Sequence, residues 1–206
     1  MPAPPLQSQI ERRRRRRLRL LPLIGYSIAV LGLAYFFQLR PSTTIVFVRH
    51  TDTDQTVDGD DPPLSARGRQ RAEVLADFLQ DIDVVAGVDH IFVGHTKRTA
   101  QTAAPLAARL NVPVEARDQT TVGSYMRYVK RHHSGEIVLV IADGDVIPAM
   151  IAELHGSKRL PPFDPSDYDE LYIVTSPWYG NVKTLRLHYN ASKGFAASEP
   201  SASSGG

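Results

Sequence analysis

Residues 44–51 read Thr44-Ile45-Val46-Phe47-Val48-Arg49-His50-Thr51. The first five are β-branched or aromatic and uncharged, the composition of a strand buried on both faces. The run ends abruptly in a cation and an imidazole. A buried strand that opens into polar, chemically capable side chains belongs to an α/β sheet, where ligands sit beyond the carboxyl ends of the strands.

Two more segments repeat the pattern downstream. His90-Ile91-Phe92-Val93 reads as a short strand and runs into Gly94-His95-Thr96-Lys97-Arg98. Glu136 to Ile141 is a second continuous apolar run, ending in Ala142-Asp143-Gly144-Asp145. If these strands are neighbours, the three loops share one pocket holding two arginines and at least one histidine.

Helices fill the intervals. Ser65 can cap a helix that carries Ala72, Leu75, Ala76 and Leu79 on one face. Lys97 to Leu110 is alanine-rich, with Pro105 expected to interrupt or restart the helix. Val112 to Ala116 reads as a strand and Val122 to His132 as a helix, and a further helix starts near Pro148. Leu171 to Val174 and Val182 to Leu187 are two last strands around a turn at 178–181, where Trp178 and Tyr179 fill the turn or cover the sheet edge. Strands alternating with helices predict an α/β three-layer sandwich, a mostly parallel sheet with helices on both faces.

The charge is unevenly placed. The chain has 206 residues, no cysteine and a net charge of +2. Residues 1–40 hold 8 of the 24 basic and one of the 22 acidic residues, so the remainder carries 16 basic against 21 acidic, a net of −5. The basic pI belongs to the N-terminus, which argues against a nucleic-acid-binding domain. Without cysteine, disulfides and thiolate chemistry are excluded.

Arg12 to Arg17 directly precede an uncharged, mostly apolar stretch, 20–39, of the length a helix needs to cross a bilayer. Tyr35, Phe36 and Phe37 lie where an aromatic belt is expected. The organisation expected is a basic cytoplasmic N-terminus (1–19), one transmembrane helix (20–39), a linker (40–43), a domain (44–189) and a disordered tail (190–206). Arginines before the span keep residues 1–19 in the cytoplasm and place the domain on the periplasmic or extracellular side. A cleaved signal peptide fits less well, because the apolar run is long and Phe-Gln-Leu-Arg-Pro after it is a poor cleavage site.

The Arg49-His50 pair after its strand resembles the signature of the histidine phosphatase superfamily, the phosphoglycerate mutase-like group. Pro63 to Gly68 is similar to that family's segment before its first helix. Thr96-Lys97-Arg98-Thr99-Ala100-Gln101-Thr102-Ala103 resembles its second arginine motif, and Tyr168 to Tyr172 a late strand of its small bacterial-type members. The resemblance implies the phosphoglycerate mutase-like fold and phosphomonoester or protein phosphohistidine hydrolysis. His50 would be the nucleophile, Arg49 and Arg98 would bind the phosphoryl group, and Thr53 would donate a further hydrogen bond. No metal or cofactor is implied. Chemically this is coherent: a neutral imidazole attacks phosphorus, and guanidinium groups position and neutralise the phosphate.

One position departs from the family. The second histidine expected after Glu136–Ile141 is replaced by Asp143, with Pro148 marking the register. A carboxylate near a phosphate opposes binding. Three readings stand: Asp143 is protonated and acts as a general acid, His95 substitutes for the lost histidine, or the domain is catalytically impaired and binds a phosphorylated ligand or a protein partner. The family's acidic residue has no clear counterpart; Glu115 is the only glutamate between Arg98 and Glu136.

Other features have plain readings. Asp58-Gly59-Asp60-Asp61 lacks the closing glutamate of a calcium loop and reads as a solvated turn. His132-His133, beside Lys130-Arg131, fits a helix C-terminus better than a metal pair. His155 and His188 read as structural.

Overall fold

The computed structural model describes residues 22–36, 42–81, 87–157, 160 and 167–189. Two compact units divide at residues 40 and 41. In the first, a helix α1 covers residues 22–36, with its large apolar side chains exposed. The rest of the 20–39 stretch, the basic residues 1–19, Arg40 and Pro41 of the linker, and the 190–206 tail lie outside the described residues. Among the described residues no helix is long and apolar enough to cross a membrane.

The second unit is built on a six-stranded sheet, ordered β3-β2-β4-β1-β5-β6. The strands are β1 (Thr43–Arg49), β2 (His90–Val93), β3 (Val114–Ala116), β4 (Ile137–Ala142), β5 (Glu170–Ser176) and β6 (Lys183–His188). The helices are α2 (Ala66–Asp81), α3 (Lys97–Leu110), α4 (Val122–His132) and α5 (Ile147–Glu153). β1 pairs in parallel with β4, β4 with β2, and β2 with β3. β5 runs against both β1 and β6.

The two-residue period of β1 decides which layer each side chain enters. Val46 and Val48 pack with Leu75, Ala76 and Leu79 of α2 and with Ala103 and Leu106 of α3. Ile45 and Phe47 face the other way, with Tyr125, Met126 and Val129 of α4 and Ile147, Met150 and Ile151 of α5. Each of the Val, Leu, Ile, Phe and Met side chains contributes about 1.5–3 kcal/mol on burial. The continuous apolar runs read from sequence are therefore strands covered on both faces, in a mixed α/β sandwich.

Local signals set the helix ends. Ser65 Oγ accepts from the Gly68 amide at 2.9 Å, the expected cap on α2. The Lys97 amide, first in α3, donates to both carboxylate oxygens of Asp61 at 2.8 and 3.1 Å. The Asp58–Asp61 turn thus supplies a helix anchor. Pro105 lies inside α3 without ending it, so the expected interruption does not occur: a proline removes one donor, while Ala103, Leu106 and Ala107 hold that turn on the sheet. Thr43, read as linker, is the first residue of β1. β3 is shorter than expected, starting at Val114, because an exposed edge strand has one pairing partner.

Candidate active site

The strand order places the carboxyl ends of β2, β4 and β1 side by side. Arg49 stands opposite Ala142, and Val93 opposite Ile141. The three loops therefore meet, as their sequences require for a shared pocket. Because β5 is antiparallel, its beginning, and Tyr168 and Asp169 before it, arrive at the same end.

His50 is 9% exposed, and its amide donates to the Ala142 carbonyl at 3.1 Å. Its Nδ1 lies 2.8 Å from the Thr51 carbonyl oxygen. A carbonyl only accepts, so Nδ1 carries the proton and Nε2 holds the lone pair of the neutral ring. Burial pushes this imidazole below its ordinary value; Arg98 and Arg49 push the same way, against the Thr51 bond and the Asp143 charge.

Thr51, fully buried, anchors the loop that follows His50. Its hydroxyl donates to the Gly68 carbonyl at 2.9 Å, and its amide donates to Thr102 Oγ1 at 3.1 Å. Gly68 is required by contact: a Cβ there would stand 2.0 Å from the Asp52 carbonyl oxygen. Arg71, 4% exposed, donates to Asp52 Oδ2 at 2.7 Å and also bonds Asp169. It ties the loop after β1 to the residues before β5.

Arg49 stacks on Tyr168, its guanidinium carbon 4.3 Å from the ring centroid, and donates to the Asp167 carbonyl at 3.2 Å. A Cβ at Gly144 would come within 3.0 Å of Arg49 Cδ and Nε, so a larger residue there would press on this arginine.

Arg98 grips Asp143 with both ends of its fork, Nε to Oδ1 at 2.8 Å and Nη2 to Oδ2 at 3.1 Å. The same Oδ1 lies 3.3 Å from His50 Nε2. Burial alone would raise the Asp143 carboxyl, but the hydrogen bonds and charge of Arg98, then His50 and Arg49, hold it below its ordinary value. Asp143 is thus a carboxylate at neutral pH. Of the three readings of Asp143, the one in which it is protonated and serves as a general acid is opposed by its guanidinium partner. An anionic side chain thus already occupies the Arg98 fork.

The other expected residues stand further out. His95 is exposed and lines a cleft of about 180 Å³ with Asp118, Gln119, Thr120 and Asp143. It borders the site beside Asp143. The Thr53 hydroxyl accepts from Gln55 Nε2 at 2.8 Å, and its backbone bridges to Leu64. Glu115 lies on the edge strand and pairs with Arg117 at 2.6 Å. Sequence reasoning missed Arg71, Thr102 and Gly144. Arg71 had a signal, a charge on the apolar stripe of α2; the other two act through contacts that no local pattern shows.

Residues 45–121 match the family model of the histidine phosphatase superfamily (branch 1). The fold is similar to that of the protein histidine phosphatase SixA solved with tungstate, at 21% identity and a TM-score of 0.57, over 71% of this chain and 97% of that one. It is similar to a candidate phosphohistidine phosphatase, SixA, from Nakamurella multipartitia, at 20% identity and a TM-score of 0.55, over 71% and 96%. A mycobacterial glucosyl-3-phosphoglycerate phosphatase matches at 16% identity and a TM-score of 0.55, over 72% and 99%. At these identities the likeness is one of fold. From β1 onward the chain is thus similar to the histidine phosphatase superfamily over residues 45–121, within a sheet whose fold is that of these solved structures.

Proposed function

We propose that this chain is a membrane-anchored phosphatase that hydrolyses a phosphomonoester or a protein phosphohistidine through a phosphohistidine on His50, with Asp143 restraining it. The observation that carries this is the Nδ1 bond to Thr51, which leaves Nε2 as the lone-pair nitrogen, facing the Asp143 carboxylate that Arg98 holds.

A substrate phosphate takes the place of Asp143 on Arg98. Nε2 attacks phosphorus, the bond from phosphorus to the leaving group breaks, and its electrons go to the leaving atom. Water then attacks the phosphohistidine, releasing inorganic phosphate and returning the lone pair to Nε2. The Asp143 carboxylate is placed to take the proton of that water, so it opposes the first step and serves the second.

Protonation of the leaving group favours one substrate class. Asp143 is ionised. Asp118 is held below its ordinary value by hydrogen bonds from the Thr120 hydroxyl and amide, so it donates no proton either. A leaving group that departs without strong acid assistance, such as the imidazole of a protein phosphohistidine, suits this set. The second reading, a catalytically impaired member that binds a phosphorylated ligand, is favoured by the carboxylate facing Nε2.

The anchor reading rests on the arginine block before 20–39 and on the exposed apolar surface of α1. It places the domain on the non-cytoplasmic side. Protease added to sealed, right-side-out cells or spheroplasts should cleave it; protection there with cleavage from the cytoplasmic side refutes the orientation.

The deciding experiment incubates the full chain with an aryl phosphate and traps an acid-labile phosphoenzyme. Turnover lost in His50→Ala supports catalysis. A silent parent that gains activity in Asp143→His supports the second reading.

A further inference from the structure

At the opposite end of the sheet, where β2 and β4 begin, three side chains converge that the phosphatase chemistry does not use. His90 opens β2, Glu136 immediately precedes β4, and His133 caps α4. Glu136 Oε2 lies 2.8 Å from His133 Nδ1 and 3.3 Å from His90 Nε2. The two rings stand edge to face, with centroids 4.3 Å apart. One ligand atom from each residue lies within 4.8 Å of the others.

We propose that His90, His133 and Glu136 form a binding site for a first-row divalent transition ion of the zinc type. Nitrogen and oxygen ligands sit about 2.0–2.1 Å from such an ion, so neighbouring ligand atoms of a tetrahedral site are roughly 3.3 Å apart. The two separations about Glu136 Oε2 fall near that value. Two neutral imidazoles and one carboxylate suit zinc, nickel or copper better than calcium or magnesium. They are the three-ligand set that leaves a fourth position for water or another ligand.

The ligands are carried by rigid parts of the fold. The Glu136 carbonyl accepts from the Thr44 amide at 3.0 Å, and the Ile137 amide donates to Asp89 Oδ2 at 2.8 Å. His133 packs edge-on against Phe92, centroids 5.1 Å apart. Its side chain is 9% exposed, and Nδ1 is the ring nitrogen turned to Glu136, which fixes the atom it would offer an ion. The side chains of His90 and Glu136 are 39% and 36% exposed, which gives an ion a path in from solvent.

A second cluster, Asp167, Glu170 and His188, does not compare. There Glu170 is nearly fully buried and already neutralised by Arg186.

The test uses the full chain, stripped with a chelator, and Co²⁺ as the optical probe. The expected result is the visible d–d absorption of a four-coordinate site, saturating at one equivalent and displaced by Zn²⁺. His90→Gln and Glu136→Gln should each weaken Co²⁺ binding about tenfold or more. Both positions are partly exposed, so these variants test ligation without emptying the core; unchanged far-ultraviolet circular dichroism checks the fold. His50→Ala should bind Co²⁺ as the parent does. No Co²⁺ spectrum, equal binding in both ligand variants, or loss of binding in His50→Ala would each overturn the assignment. None of these outcomes bears on phosphatase turnover, which is read separately.

Discussion

Replacing Asp143 by Asn tests whether the carboxylate on Arg98 competes with phosphate. The substitution keeps the shape and removes the charge. Two unit charges about 4 Å apart interact by about 4 kcal/mol at an effective dielectric of 20. The Asp143 side chain is 38% exposed, and Arg98 already compensates it, so most of that is screened. A residual near 1.4 kcal/mol corresponds to a tenfold change in affinity. Asp143→Asn should therefore bind inorganic phosphate or vanadate about tenfold more tightly, measured by calorimetric titration of the full chain. Turnover should rise less than binding, because the same carboxylate is placed to serve the water step. Equal or weaker phosphate binding in the variant would refute the reasoning, and would mean that Asp143 holds Arg98 in its working pose.

Two other outcomes follow from the same geometry. Because burial pushes the His50 imidazole down, its neutral form persists as pH falls past the ordinary histidine value of about 6.5. The acid limb of phosphoenzyme formation should lie below that value, once the substrate's own ionisation is corrected for; a limb at or above it contradicts the burial argument. Gly68→Ala sets a Cβ against the Asp52 backbone, which cannot rotate away. Overpacking of this kind costs about 1–3 kcal/mol, so thermal unfolding should show a midpoint several degrees lower; an unchanged midpoint would mean that the loop after β1 yields freely.

Much of the fold was legible because its signals are local. Thr44 to Val48 and Ile137 to Ile141 are uninterrupted apolar runs, and such runs become strands only where both faces are covered. Ser65 and Gly68 mark the start of α2 within four residues. Pro105 misled because its cost is local, whereas the packing of Ala103, Leu106 and Ala107 on the sheet is not. The edge strand was read too long because pairing on one side leaves no pattern in the chain.

Sequence alone determined which chemical groups stand where strands end: Arg49 and His50 after one apolar run, Arg98 after a second, and a carboxylate at Asp143 after a third. It also determined the separation of a basic, apolar N-terminus from an acidic domain. Only the tertiary structure decided what those groups do to one another. That Asp143 is held on Arg98, that Arg71 joins Asp52 to Asp169, and that His90 meets His133 beside Glu136 are facts about residues 45, 98 and 43 positions apart in the chain. Local propensity reports a residue's conformation, whereas charge and hydrogen bonding depend on distance in space. That distance exists only once the β2-β4-β1 order has brought separate loops together.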